Sequence, residues 1–217
     1  MNLNSSLRAV IFDYGRVLSL PPSDTDWAAF AAATGLTLDT LHYRYWEHRD
    51  LYDRKEISAA EYWERVTGDI IEGDGLAELI ALDDAQWTRI NPEMLGRARQ
   101  LSDAGLKIAI LSNMQVDMLR VMRSKFDWLD EFGVQMYSCE VGLVKPDPEV
   151  YLECLRRLNV QPKEALFLDD KQKNTAGAEA VGMHTLLFDG DIAAFDRKLK
   201  DLGVELDRES QKSKVES

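Results

Sequence analysis

Short apolar runs, each ending on a polar or glycine-bearing tip and followed by a helical pattern, constrain this chain more than any other feature. Ala9-Val-Ile-Phe12 ends at Asp13, Ile108-Ala-Ile-Leu111 at Ser112-Asn113, and Ala165-Leu-Phe-Leu168 at Asp169-Asp170. A weaker run, Val134 to Tyr137, precedes Ser138, and Thr185-Leu-Leu-Phe188 adds a fifth. Runs this short, rich in β-branched and aromatic residues, read as strands buried on both faces of a parallel sheet. Amphipathic stretches lie between them: Glu93 to Ala104, Val116 to Trp128, Pro148 to Leu158 and Asn174 to Val181. Two of these stop at a glycine one residue on, Gly105 and Gly182, as helix ends often do. The alternation predicts an α/β fold: a Rossmann-like, open, doubly wound parallel sheet.

One interval breaks the alternation. From about Pro21 to Ile90 no strand pattern occurs. Trp27, Phe30 and Ala31 fall at helical spacing, as do Leu41, Tyr45 and His48, followed by Leu51 and Tyr52. Ser58-Ala-Ala-Glu61 is a capping box with Tyr62, Trp63 and Val66 behind it, which opens another helix. The expectation is an all-helical domain at 21–90 inserted into a core built from 1–20 and 91–217, a division that a chain of 217 residues can accommodate. Pro21-Pro22 and Asn91-Pro92 suit hinge segments at its two ends. Within the insertion, Tyr43, Trp46, Tyr52 and Trp63 read as bundle core, and Arg44 and Arg49 as solvated charges. The stretch from about Glu205 to Ser217 is charged, lacks apolar periodicity and is expected to be disordered.

The net charge is −12. That balance speaks against a nucleic-acid partner, because nothing supplies the cationic stripe that a phosphate backbone needs. Any anion site must be built locally, from backbone N–H groups, a lysine and a metal. Cys139 and Cys154 are the two cysteines. They form no CxxC pair and read as buried free thiols. No segment has signal-peptide or transmembrane character, so a cytoplasmic location without membrane attachment is expected. The oligomeric state stays open between monomer and homodimer.

In an open parallel sheet, ligands bind beyond the carboxyl ends of the strands. Asp13, Tyr14 and Gly15 follow the first strand, Ser112 and Asn113 the second, and Asp169 and Asp170 the fourth. Lys145 lies in Gly142-Leu-Val-Lys145-Pro-Asp-Pro, after the third. Carboxylates brought together repel unless a cation sits between them. Oxygen ligands with few dedicated protein contacts suit Mg²⁺. Lys145 offers a point charge for a phosphate or for a carboxylate nucleophile. Ser112 and Asn113 can donate hydrogen bonds to an anionic oxygen, and Gly15 lets backbone approach a ligand closely.

The segments Phe12-Asp13-Tyr14-Gly15-Arg16-Val17-Leu18, Leu111-Ser112-Asn113, Lys145-Pro146-Asp147 and Leu168-Asp169-Asp170 with Asn174 occur in one order. The ordered set resembles the four motifs of the haloacid dehalogenase superfamily, over the chain to about residue 190. The resemblance implies an inserted helical cap and a Mg²⁺-dependent phosphatase acting on a small phosphorylated metabolite, which a sugar phosphate would satisfy. By the same resemblance Asp13 attacks phosphorus and forms an aspartyl-phosphate. Asp13, Asp170 and the Gly15 carbonyl ligate Mg²⁺, with Asp169 a ligand or close by. Ser112, Asn113 and Lys145 hold the phosphoryl group beside Tyr14 and Gly15, and Lys145 also orients Asp13. Arg16, directly after the nucleophile loop, is a further candidate for the site.

The sequence departs from the pattern at Gly15, where most family phosphatases carry a second aspartate that handles protons. Losing such a group costs about 10²–10⁴ in rate. His48, Glu47 or His42 of the insertion could replace it; a substrate with a good leaving group could do without it; or the chain could be a weak enzyme or a phosphate-ligand binder. A haloacid dehalogenase, in which Asp13 displaces a halide that needs no proton, is the rival enzyme reading.

Overall fold

The computed structural model describes residues 6–206. In chain order the elements are β1 (Ala9–Phe12), α1 (Asp24–Thr34), α2 (Leu38–Glu47), α3 (Arg49–Asp53), α4 (Ala59–Thr67), α5 (Gly73–Gln86), α6 (Pro92–Asp103), β2 (Lys107–Ser112), α7 (Val116–Lys125), β3 (Val134–Tyr137), α8 (Ser138–Val141), α9 (Pro148–Leu158), β4 (Ala165–Asp169), α10 (Gln172–Ala180), β5 (His184–Leu187) and α11 (Ile192–Asp201). The strands form one fully parallel sheet in the order β3-β2-β1-β4-β5. All five expected strands are present within one residue at each end. The helix expected from Val116 to Trp128 stops at Lys125, because Phe126 turns extended (φ −127°, ψ 94°) and the chain continues as a tight turn over Asp127–Glu131.

The two-residue period of the strands sorts their side chains onto two cores. Ala9 and Ile11 pack with Ala109, Leu111, Phe167 and the Tyr151, Cys154 and Leu155 face of α9. Val10 and Phe12 pack with Ile108, Ile110, Leu166 and Leu168 against Met94, Leu101 and Phe195 on the other side. Both faces are covered, which is why the strands read as unbroken apolar runs. Each large side chain removed from water in this way contributes about 1.5–3 kcal/mol. Cys139 and Cys154 are both free thiols, Cys139 half-buried and Cys154 buried.

Helices α1–α5 lie between Ser19 and Ile90, which pair as an antiparallel bridge and pin the two ends of the segment together. They enclose a separate aromatic core, with Phe30 stacked on Trp63 at 5.3 Å and Tyr52 on Tyr62 at 4.7 Å. Capping boxes at Ser23–Asp26 and Ser58–Glu61 open α1 and α4. Tyr52 and Trp63 are buried there as expected. Tyr43 and Trp46 are not bundle core: they are 67% and 38% exposed. Neither arginine is simply solvated. Arg44 donates to the carbonyl oxygens of Val66 and Thr67, two acceptors that the last turn of α4 leaves without intrahelical partners. Arg49 is buried. The chain breaks helical geometry at His48 (φ −112°, ψ 4°), and Arg49 meets Asp53 and Asp83 on the inner side.

No helix among the described residues is long and apolar enough to cross a membrane. All but the first two residues of the tail expected to be disordered, 205–217, lie outside the described residues.

Candidate active site

Register builds the site. Phe12 pairs with Leu168, so Asp13 and Asp169 emerge side by side from adjacent strands at the centre of the sheet. Their two-residue phase matches Ile11 and Phe167, which face α9. Lys145, in the loop leading into α9, therefore meets both carboxylates. Its Nζ lies 2.8 Å from Asp13 Oδ1 and 2.6 Å from Asp169 Oδ2. Asp170, one residue out of phase, instead approaches Arg16 Nη1 at 3.6 Å.

Several contacts hold these groups in place. Asp13 Oδ1 also accepts from the Tyr14 N–H at 2.7 Å, while none of the described residues donates to Oδ2. Asp169 is saturated: Lys145, the Lys171 N–H and Asn174 Nδ2 all donate to it. Asn113 clamps the lysine loop, its Oδ1 accepting from the Lys145 N–H and its Nδ2 donating to the Lys145 carbonyl, both at 2.9 Å. Gly177 in α10 lets that loop sit close, since a Cβ there would lie 2.6 Å from the Pro146 carbonyl oxygen.

The charges do not balance. Oxygens of Asp13, Asp169 and Asp170 lie within 4.8 Å of one another, against one buried ammonium and the half-exposed Arg16. Burial pushes Asp13 up to about 7 despite the pull of Lys145, with Asp169 and Asp170 adding to the rise. Burial and then Asp169 raise Asp170. Burial alone would lower Lys145, but Asp13 and Asp169 outweigh it and hold the ammonium above its usual range. A compact set of hard oxygen donors with an excess of negative charge fits a small divalent cation. The Asp13 and Asp170 carboxylates are within reach of it. Asp169 belongs to the same cluster, with its oxygens also held by Lys145 and Asn174.

A cleft of roughly 300 Å³ opens over these groups. Asp13, Tyr14, Gly15, Arg16, Ser112, Asn113, Lys145 and Asp170 all line it. Asp169 lies beneath it, fully buried. Tyr14 contributes little but its backbone, since its ring is buried and its hydroxyl donates to the Trp87 carbonyl at 2.7 Å. The glycine at position 15 is not forced by crowding. Its φ is −63°, and a Cβ would meet only Trp87 Cζ3, at 3.6 Å.

The helical segment closes the other side with Trp46, Arg49, Asp53 and Trp87. Arg49 is the hub of that wall. Its Nε donates to Asp53 Oδ1, its Nη1 to Asp83 and the Tyr45 hydroxyl, and its Nη2 to Gln115 Oε1 of the core at 2.7 Å. Tyr52 donates to Asp117 Oδ2, and Ser138 Oγ to the Asp53 carbonyl. Sequence patterns do not reveal Asp53, on the last turn of α3, or Trp87, just past the end of α5, because neither falls in one of the strand-end motifs. His42, Glu47 and His48, the sequence candidates for proton handling, do not line the cleft. His42 packs on Trp27, and Glu47 accepts from Tyr43 and neighbours His48.

Residues 8–182 match the family model for haloacid dehalogenase-like hydrolases. The chain is 26% identical to a sesquiterpene phosphatase of Aspergillus oryzae, over 82% of this chain and 88% of that protein. It is 28% identical to (S)-2-haloacid dehalogenase 1 of a Pseudomonas strain, over 83% of each. It spans 40% of the length of pig bifunctional epoxide hydrolase 2 and 10% of that of mouse acyl-CoA dehydrogenase family member 10. A haloacid dehalogenase family enzyme of Bacteroides thetaiotaomicron, crystallised with magnesium, shares the fold at a TM-score of 0.71 and 18% identity, covering 88% of this chain and 99% of that one.

Proposed function

The chain belongs to the haloacid dehalogenase-like hydrolases, and from that premise we propose that it is a Mg²⁺-dependent phosphatase of small phosphomonoesters. The observation that carries this reading is the unbalanced carboxylate cluster around a half-pinned Asp13. One oxygen of Asp13 is held by Lys145 and the Tyr14 N–H, and none of the described residues donates to the other. That is the arrangement of a carboxylate nucleophile aimed at a ligand. Asp13, Asp170 and the Gly15 carbonyl would hold Mg²⁺, which offsets charge between nucleophile and phosphate. Asp13 attacks phosphorus in line, Ser112 and Lys145 stabilise the charge on the phosphoryl oxygens, and water then cleaves the aspartyl-phosphate. The helical segment at 21–90 serves as a cap that excludes bulk water and sets the leaving-group pocket.

The dehalogenase relative supports a second reading, in which Asp13 displaces halide from carbon and no acid is needed at Gly15. The excess negative charge favours the phosphatase, because a metal-free displacement has no use for Asp170 beside Asp13 and Asp169. A phosphate-release screen over a broad ester panel separates the two. Release that requires Mg²⁺, stops with chelator and vanishes in Asp13→Asn is the expected result. No release from any ester, with halide release from a 2-haloacid, would replace the phosphatase with the dehalogenase.

A further inference from the structure

The cleft contains one acid that the proposed chemistry leaves unused. Its carboxylates among the described residues are Asp13, Asp170 and Asp53. Asp13 is the nucleophile and Asp170 faces the cation position and Arg16. Among the described residues, no histidine, cysteine or glutamate lines the cleft. Its other cations are engaged: Lys173 pairs with Asp50 at 2.9 Å, and Lys171 lies over the Trp46 ring at 5.0 Å. The Tyr14 hydroxyl is turned into the core.

We infer that Asp53, on the last turn of α3, is the general acid and base of this hydrolase, supplying from the insertion what Gly15 cannot. The assignment rests on the phosphatase reading above. Asp53 is 6% exposed. Its Oδ1 accepts from Arg49 Nε at 3.0 Å, which fixes the carboxyl plane, and no described residue donates to its Oδ2. Its backbone is tied to the core: the Asp53 carbonyl accepts from Ser138 Oγ at 2.6 Å, and Ser138 Oγ accepts from the Met114 N–H at 2.9 Å. Met114 follows Ser112-Asn113, so Asp53 is registered to the loop that holds the phosphoryl group. Burial raises the Asp53 carboxyl above its ordinary range against the pull of Arg49 and Lys171, with Asp83 adding to the rise. That is the direction a proton donor near neutral pH needs.

The steps balance. Asp13 Oδ2 bonds to phosphorus as the ester P–O bond breaks, and the departing oxygen takes the proton of the Asp53 carboxyl. The Asp53 carboxylate then accepts a proton from water as the water oxygen bonds to phosphorus. The aspartyl P–O bond breaks, releasing phosphate and restoring both side chains.

The test compares glycerol 2-phosphate, whose alkoxide must be protonated to leave, with 4-nitrophenyl phosphate, whose leaving group departs unaided. Asp53→Asn should lower kcat on the alkyl ester by about 10²–10⁴ and on the nitrophenyl ester by less than ~10. Gly15→Asp added to Asp53→Asn, with room for the new side chain beside Trp87, should recover at least ~10-fold on the alkyl ester. Equal losses on both esters would overturn the assignment, since that is the pattern of a residue that only positions Arg49. A second measurement needs no variant. Across aryl phosphates of increasingly basic leaving group, the unaltered protein should show a shallow fall in rate, and a steep fall overturns the assignment. Turnover of neither ester by the unaltered protein would remove the phosphatase reading itself. Turnover of both, with an unchanged ratio in Asp53→Asn, would remove only the role of Asp53.

Discussion

Two buried ionic clusters face each other across the cleft, and they are built to opposite ends. In the helical segment Arg49 donates from Nε, Nη1 and Nη2, and Asp83 accepts from Tyr45, Arg49, Gln86 and Gln115. Arg49 and Asp83 have their donors and acceptors engaged, and the result is a fixed wall. In the sheet cluster three carboxylates share one buried lysine, no described residue donates to Asp13 Oδ2, and the ion pair that Asp170 makes is with the half-exposed Arg16 at 3.6 Å. Buried charge left uncompensated is costly, so it persists where a ligand supplies the missing charge. The closed cluster holds Asp53 in place; the open one leaves negative charge for a ligand to balance.

The largest expected effect comes from opening the closed cluster. Arg49→Ala leaves Asp53 and Asp83 buried without a cation and should lower unfolding stability by about 3–5 kcal/mol. Equilibrium urea unfolding reads this, and added Mg²⁺ should not reverse it. A loss below ~1 kcal/mol, the range of surface ion pairs, would mean that the wall is not closed as described.

The open cluster should respond in the opposite sense to added cation. Mg²⁺ at a hundred times its Kd should stabilise the native protein by about 2.7 kcal/mol. Thermal unfolding with and without the ion measures this, and Asp170→Asn should abolish the gain. An equal gain in Asp170→Asn would place the ion elsewhere.

The smallest effect sharpens the boundary between the clusters. Asp84, next to Asp83, is buried with no partner for Oδ1, and burial followed by Asp83 pushes it up to about 7. The folded protein therefore holds a proton on Asp84 that the unfolded chain releases above its value of 3.8. The contribution of Asp84 to stability is fully present below about pH 4 and is lost as pH rises toward 7, by on the order of 2 kcal/mol once the shift is discounted for solvent screening. Asp84→Asn should remove that part of the slope and be the more stable protein at pH 8. An unchanged slope would show that Asp84 is solvated.

The sheet and its tips were legible because buried parallel strands announce themselves as apolar runs, and because chemistry in this architecture collects at strand ends. Asp13, Lys145, Asp169 and Asp170 meet as expected for that reason. The wall opposite was not legible. Arg49 reads as solvated because hydrophobic periodicity treats every charge as outward-facing, and its counter-charges Asp53 and Asp83 come from separate helices. The end of α5 buries Asp83, Asp84 and Gln86, which blurs any apolar stripe. Asn113, read as a phosphate donor, also ties down the Lys145 loop, and Gly177 matters because Pro146 passes above it. Such closures depend on three-dimensional proximity. By contrast α11 carries a readable i, i+3, i+7 stripe in Ile192, Phe195 and Leu199 that the strand-centred reading passed over.

The most direct test of the central claim, that Asp13 is the attacking group, is mass spectrometry of protein quenched in acid during turnover of a phosphate ester with Mg²⁺. The expected result is a single phosphoryl adduct that maps to Asp13 and is missing from Asp13→Asn. A turning-over enzyme with no adduct, or with the adduct on another residue, would contradict it.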